Sequence, residues 1–137
     1  MKISVFPYYE NEGVRELTQE IMHELQTLGF EAVLNDDTPD YDIAIAVGGD
    51  GTTLNVAKNA AFLGKQTLGI NAGRLGFMSG LERNELHMLA SLADGNYTID
   101  ERMMLRADII KDGEVTTYHC LNDAVITRGD LARLIDI

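Results

Sequence analysis

From Met1 to Gly95 short apolar runs alternate with longer stretches in which apolar residues recur every three or four positions. The runs have the signature of buried strands and the stretches that of amphipathic helices. Lys2–Phe6 predicts a first strand, closed by Pro7. From about Glu12 to Leu28, the residues Val14, Leu17, Ile21, Leu25 and Leu28 form one stripe of a helix ended by Gly29. Glu31–Leu34 predicts a second strand, Asn35–Asp40 a loop, and the apolar run Ile43–Val47 a third, buried strand. An alanine-rich helix, able to pack close to a sheet, is expected from about Thr52 to Phe62. Thr67–Ile70 predicts a fourth strand. Asn84–Ala93 predicts a helix with Leu86, Leu89 and Leu92 inward, closed by Gly95.

Strand–helix alternation of this kind implies parallel strands joined by right-handed crossovers. Residues 1–99 are therefore expected to form a Rossmann-like α/β domain, a parallel sheet with flanking helices. The pattern changes after Gly95. Arg102–Lys111 and Val115–His119 flank Asp112-Gly113, a hairpin turn signal, and Leu121–Arg128 is a further β-prone stretch. Residues 100–137 thus predict the first strands of an antiparallel β domain. The chain stops on the apolar Leu134–Ile137, so the expectation is a two-domain protein cut just inside its second domain.

Composition narrows the classes. The 137 residues are 45% hydrophobic and 24% charged, ordinary for a soluble protein with a real core. There is no long apolar run for a membrane span and no signal-peptide pattern at the N-terminus. The lone cysteine, Cys120, excludes an intrachain disulfide and fits a reducing cytoplasm. Neither His119 beside it nor the isolated His23 and His87 completes a metal site, so no metal ligands are expected. A formal charge of −11 argues against nucleic acid as a partner. The same charge calls for Mg²⁺, or basic groups from elsewhere, to screen any phosphate-bearing ligand.

The chemistry concentrates in Gly48-Gly49-Asp50-Gly51-Thr52, directly after the third predicted strand. Glycines let a backbone approach a ligand closely, and a helix starting near Thr52 would point its free N–H groups at an anion such as a phosphate. An aspartate there would repel that anion unless it handles a hydroxyl or a magnesium ion beside it. The string points to phosphoryl transfer with Asp50 acting. The structural alternative is a strand–turn–helix junction with glycines chosen for geometry alone. Other phosphate motifs are missing: Gly64-Lys65 is followed by Gln66 rather than Ser or Thr, and Leu54 stands where a dinucleotide fingerprint needs glycine. A second glycine-rich turn, Asn71–Phe77, follows the next strand and can face the same cleft.

Four elements in this order resemble the NAD kinase family, which phosphorylates the adenosine ribose 2′-hydroxyl of NAD. They are Gly48-Gly49-Asp50-Gly51-Thr52, Asn71-x-Gly73-x-Leu75-Gly76-Phe77, Arg102-x-Met104-Leu105 and Leu121-Asn122-Asp123-x-Val125-Ile126. The first is shared with lipid kinases and phosphofructokinases; the second is more specific. The resemblance implies that Asp50 contacts the 2′-hydroxyl and accepts its proton, with Gly51 beside it. It implies that Phe77 packs against the dinucleotide and that Asn122 and Asp123 bind ribose hydroxyls. Gly48, Gly49 and Thr52 would shape the phosphate turn. Asn55 stands at a substrate-binding position where many relatives carry a basic residue. ATP or polyphosphate would be the donor, with Mg²⁺ or another divalent cation. A full-length family member would be a cytoplasmic homo-oligomer with no membrane partner, whereas residues 1–137 lack the family's later Thr/Gly/Ser-rich segment. The rival expectations are another kinase with the same glycine motif, acting on a lipid or sugar phosphate, and a non-catalytic binding or assembly module. Taken alone, Asn122-Asp123 reads as a turn pair and Phe77 as a core residue.

Overall fold

The computed structural model describes residues 1–9, 12–35, 38, 40–73, 76–125, 127–128 and 131–134. The chain divides into two compact units, Met1–Ile99 and Asp100–Ile137.

The first unit runs β1 (Lys2–Pro7), α1 (Glu12–Thr27), β2 (Glu31–Leu34), β3 (Ile43–Gly48), α2 (Asp50–Phe62), β4 (Gln66–Asn71) and β5 (Leu81–Glu82). A 3-10 helix (Arg83–Leu89) and α3 (Ala90–Asp94) complete it. Its sheet is parallel throughout, in the order β2-β1-β3-β4-β5. Alternation along the strands sorts the core by face. Ile3, Val5, Ile43, Ile45, Val47 and Ile70 pack with Val14, Leu17, Ile21 and Leu25 of α1 and with Leu89 and Leu92. The opposite face carries Ala44 and Ala46 against Val56 and Ala60 of α2, with Tyr41 and Phe6 at its margin. Small residues beneath α2 let the helix lie close to the sheet. At Gly69 the fit is so tight that a Cβ would stand 2.9 Å from the Thr53 side chain.

Three elements differ from expectation. Helix α2 begins at Asp50, not near Thr52, because Gly49 is extended (φ −95°, ψ −173°) and serves as its N-cap. An acid in the first turn suits the positive end of the helix dipole. The two-residue β5 is too short to carry any period. The segment expected as one helix over 84–93 is instead a 3-10 helix followed by a short α-helix. Leu86, Leu89 and Leu92 are spaced by three, which suits three residues per turn. A reciprocal cap starts this segment, the Glu82 N–H donating to Glu85 Oε2 at 2.9 Å. It ends at Gly95, left-handed at φ 66°.

In the second unit β6 (Leu105–Lys111) and β7 (Glu114–Cys120) form an antiparallel hairpin, registered from Leu105↔Cys120 to Lys111↔Glu114. Asp112 and Gly113 both have positive φ (53° and 84°), the turn that matches the twist of a two-residue hairpin. β8 (Thr127–Arg128) pairs antiparallel with β9 (Leu131–Leu134). The strand expected over Leu121–Arg128 is realised only at β8, and 121–125 are not strand. Pairing with β6 ends at Cys120, and β-propensity without a partner does not make a strand. Ile135–Ile137 lie outside the described residues, as do Arg74, Leu75 and Ile126 of the sequence motifs.

Candidate functional site

The two glycine-rich turns lie side by side. β3 ends at Gly48 and β4 at Asn71, and these residues are register partners. The Ala72 N–H donates to the Gly48 carbonyl at 3.2 Å. Because the strands are parallel, both turns leave the carboxyl edge of the sheet, where open α/β sheets bind ligands. The buried Asn71 side chain braces the second turn: its Oδ1 accepts the Gly73 N–H at 3.1 Å and its Nδ2 donates to the Gly73 carbonyl at 3.4 Å.

Asp50 joins the turns. Its Oδ2 accepts the Phe77 N–H at 3.1 Å and its Oδ1 the Met78 N–H at 3.0 Å. A carboxylate offers about four lone-pair sites, so two amides leave room for a hydroxyl on the same group. The amides fix the orientation of the carboxyl plane. That is what a residue orienting a nucleophilic hydroxyl requires.

The glycines of the turns separate into two kinds. Gly48 and Gly76 are required by their neighbours: an added Cβ would lie 2.6 Å from Thr52 Oγ1 in the first case and 2.2 Å from Asp50 Oδ1 in the second. At Gly49, Gly51 and Gly73 a Cβ would meet nothing within 4 Å among the described residues, and none of the three has the positive φ that favours glycine. Glycine in a helix costs up to about 1 kcal/mol relative to alanine. The packing of this unit therefore gives no reason for Gly51 in α2, whereas close approach of a ligand to the backbone would. No side chain caps the α2 N-terminus at Gly49.

Phe77 is 98% exposed, which rules out core packing, and its ring stands free beside a backbone tied to Asp50. Thr52 sits against Gly48 of the first turn, and Asn55 lies further along the same helix. They line a cavity of about 410 Å³ with Phe6, Tyr8, Asn35, Tyr41 and Asn59, at the end of β1. Asn55 is about 140° around the helix from Asp50 at 3.6 residues per turn. A second cavity, about 480 Å³, lies beside the other turn, lined by Asn71, Ala72, Gly73, Glu82, Asn84 and the Arg83–Glu20 pair. In that pair Arg83 Nε donates to Glu20 Oε2 at 3.0 Å, and Nη2 also meets Glu20 Oε1. The hydrogen bond from Arg83 holds the Glu20 carboxyl below its ordinary range, and the same contact raises Arg83.

Asn122 and Asp123 belong to the second unit, where both are exposed and outside any strand. Outside a strand the pair needs no explanation beyond a turn, and only the family resemblance assigns it to the site. Sequence reasoning did not assign a role to Gly76, Met78 or the brace at Asn71. The available signal was the spacing Asn71-x-Gly73, an Asx-type turn pattern.

Fold and site together define a Rossmann-like α/β domain with paired glycine turns at the carboxyl edge of its parallel sheet. The chain belongs to the NAD kinase family. Residues 8–97 match the ATP-NAD kinase N-terminal domain. An NAD kinase of Natranaerobius thermophilus is 45% identical over 98 residues, covering 70% of this chain and 34% of that protein. One from Caldanaerobacter subterraneus subsp. tengcongensis is 36% identical over 155 aligned residues, covering 99% of this chain and 55% of that protein. The chain thus spans between a third and about half of these relatives' length. The crystal structure of an NAD kinase from Archaeoglobus fulgidus in complex with ATP shares the fold, with TM-score 0.55 and 22% identity over 79% of this chain and 41% of that one.

Among the described residues no helix is long and apolar enough to cross a membrane. Nor does any group of three or more His, Cys, Asp or Glu side chains there stand together as a metal cage.

Proposed function

We propose that this site phosphorylates the adenosine ribose 2′-hydroxyl of NAD, giving NADP, with ATP or polyphosphate as donor. The observation that supports it most is the pair of amide-oriented carboxylate and unneeded glycines: Asp50 held by Phe77 and Met78, with Gly49, Gly51 and Gly73 open beside it. Asp50 would take the hydroxyl hydrogen, since a fixed carboxylate can orient or deprotonate the attacking oxygen. The first turn of α2 would face the donor phosphates. Phe77 would offer a ring face to the dinucleotide, and Asn122 and Asp123 would bind ribose hydroxyls. Thr52, packed against Gly48, would help shape the phosphate turn, and Asn55 would act from the cavity it lines.

A divalent cation, magnesium in the first instance, would draw most of its ligands from the donor phosphates, because Asp50 already faces two amides. It would neutralise phosphate charge that a protein of formal charge −11 repels. The setting would be the cytoplasm, and the family-length protein a homo-oligomer.

A second reading draws on the same contact. Both Asp50 oxygens accept a backbone N–H, so the residue also serves as a structural tie in a non-catalytic module. A coupled NADP-formation assay decides between them. A family-length protein carrying these residues is expected to turn over NAD with ATP or polyphosphate and to lose that activity on Asp50→Ala. Residues 1–137 alone are expected to show little or none. Binding of NAD and ATP without turnover would favour the module, and turnover of a lipid or sugar phosphate alone would favour another kinase.

A further inference from the structure

We propose that Gly76 is a positioning residue for Asp50: the missing side chain at 76 sets where the carboxylate stands. The proposal rests on the reading of Asp50 as the group that handles the acceptor hydroxyl. A Cβ at 76 would lie 2.2 Å from Oδ1, 2.8 Å from Cγ and 3.2 Å from Oδ2 of Asp50. The whole carboxyl group faces that point, so turning it about its own axis only exchanges one close oxygen for the other. Relief requires the side chain to swing at χ1, which breaks the bonds from the Phe77 and Met78 amides.

The other partner cannot yield instead. The segment around Gly76 is held from its far side, where the Gly80 N–H donates to the Gly69 carbonyl at 2.8 Å. The Met78 carbonyl is seated over Gly69, at a place where a Cβ on 69 would stand 3.0 Å from it. Strand β4 therefore backs the segment, and a methyl at 76 drives Asp50 off its amides. The three atoms nearest to that point all belong to the Asp50 carboxyl group.

The expected signature is a loss of turnover with substrate binding largely kept. In a family-length protein, Gly76→Ala should lower kcat by at least about tenfold, since misplacing a reacting group by an ångström can cost a hundredfold. The dissociation constant for NAD should stay within about threefold, the carboxylate acting mainly in the chemical step. Gly80→Ala is the control on the same segment; its Cβ would press only the flexible end of Leu68, at 2.8 Å, and kcat should hold. Thermal unfolding completes a cycle with Asp50→Ala, which removes the group the new methyl strikes. Gly76→Ala should lower the melting midpoint in the wild-type background and leave it unchanged in the Asp50→Ala background. If Gly76→Ala alone does not fold, the double variant should recover folding. A Gly76→Ala enzyme with wild-type kcat, an equal loss of midpoint in both backgrounds, or no recovery in the double variant would overturn the proposal while leaving Asp50's role intact. Near wild-type turnover by Asp50→Ala would instead remove the role of Asp50, and the proposal with it.

Discussion

The carboxylate of Asp50 accepts the Phe77 N–H at 3.1 Å, tying the acid of one glycine turn to the exposed aromatic residue of the other, 27 positions along the chain. Asp50→Asn is therefore not a silent isostere. The amide NH₂ cannot accept a hydrogen bond, so one of the two backbone N–H groups is left facing a donor. The change should cost about 1–2 kcal/mol of stability. In the family-length protein it should also lower turnover by roughly two orders of magnitude, the usual loss with a general base. Denaturant midpoints and single-turnover rates measure the two effects separately, and full turnover would exclude Asp50 as the base.

Gly51→Ala should trade stability against function. A Cβ there meets nothing within 4 Å among the described residues, and alanine favours the helix, so stability should rise by about 0.5–1 kcal/mol. The same methyl occupies space that a ligand would use, so NAD or ATP affinity should fall. Calorimetric melting and titration of one protein preparation check both. An alanine variant that is stabilised and binds both nucleotides unchanged would show that no ligand approaches this glycine.

Asn122→Ala should weaken NAD binding by about 1–2 kcal/mol through lost hydrogen bonds, with little change in melting, because the residue is exposed and outside the strands. An unchanged NAD dissociation constant in the family-length protein would take this residue out of the site.

The β6–β7 hairpin exposes Ile109 (57%), Ile110 (73%) and Val115 (58%). A two-stranded ribbon buries too little to shelter such residues, and exposed apolar strands recruit partners. Residues 1–137 should associate as concentration rises, and Ile110→Lys should shift light scattering toward the monomer. A monomer across the whole concentration series would contradict this.

Arg83 links the 3-10 helix to α1 through Glu20, whose carboxyl is held below its ordinary value of 4.5, chiefly by the hydrogen bond from Arg83. A depressed folded-state value means stability that is present above 4.5 and lost as pH falls through the folded-state value. The pair is exposed, so the effect should be small. Glu20→Gln should lower the denaturant midpoint slightly at about pH 7, and the difference from the wild type should shrink as pH falls below 4.5 and through the folded-state value. A constant difference across that range would mean that packing, not charge, is the link.

Much of the first unit is determined by the chain's own pattern. The stripe Val14, Leu17, Ile21, Leu25 and the apolar run Ile43–Val47 can bury themselves only as a helix on a sheet, and they do. Asp112-Gly113 likewise specifies its hairpin, because that pair tolerates positive φ at both positions. The glycine turn after β3 and its aspartate were legible because Gly48-Gly49-Asp50-Gly51 directly follows that apolar run. Tertiary structure alone decided the rest. Asn122-Asp123 lost their strand because pairing stops at Cys120, a matter of partners rather than propensity. Helix α2 starts at Asp50 because Gly49 is extended, a choice that glycine's freedom leaves open in the sequence. The contact of Asp50 with Phe77, Met78 and Gly76 depends on β3 and β4 being parallel and in register, Gly48 opposite Asn71. Periodicity reports which residues are buried, but only the sheet's register brings a carboxylate to two amides in another turn.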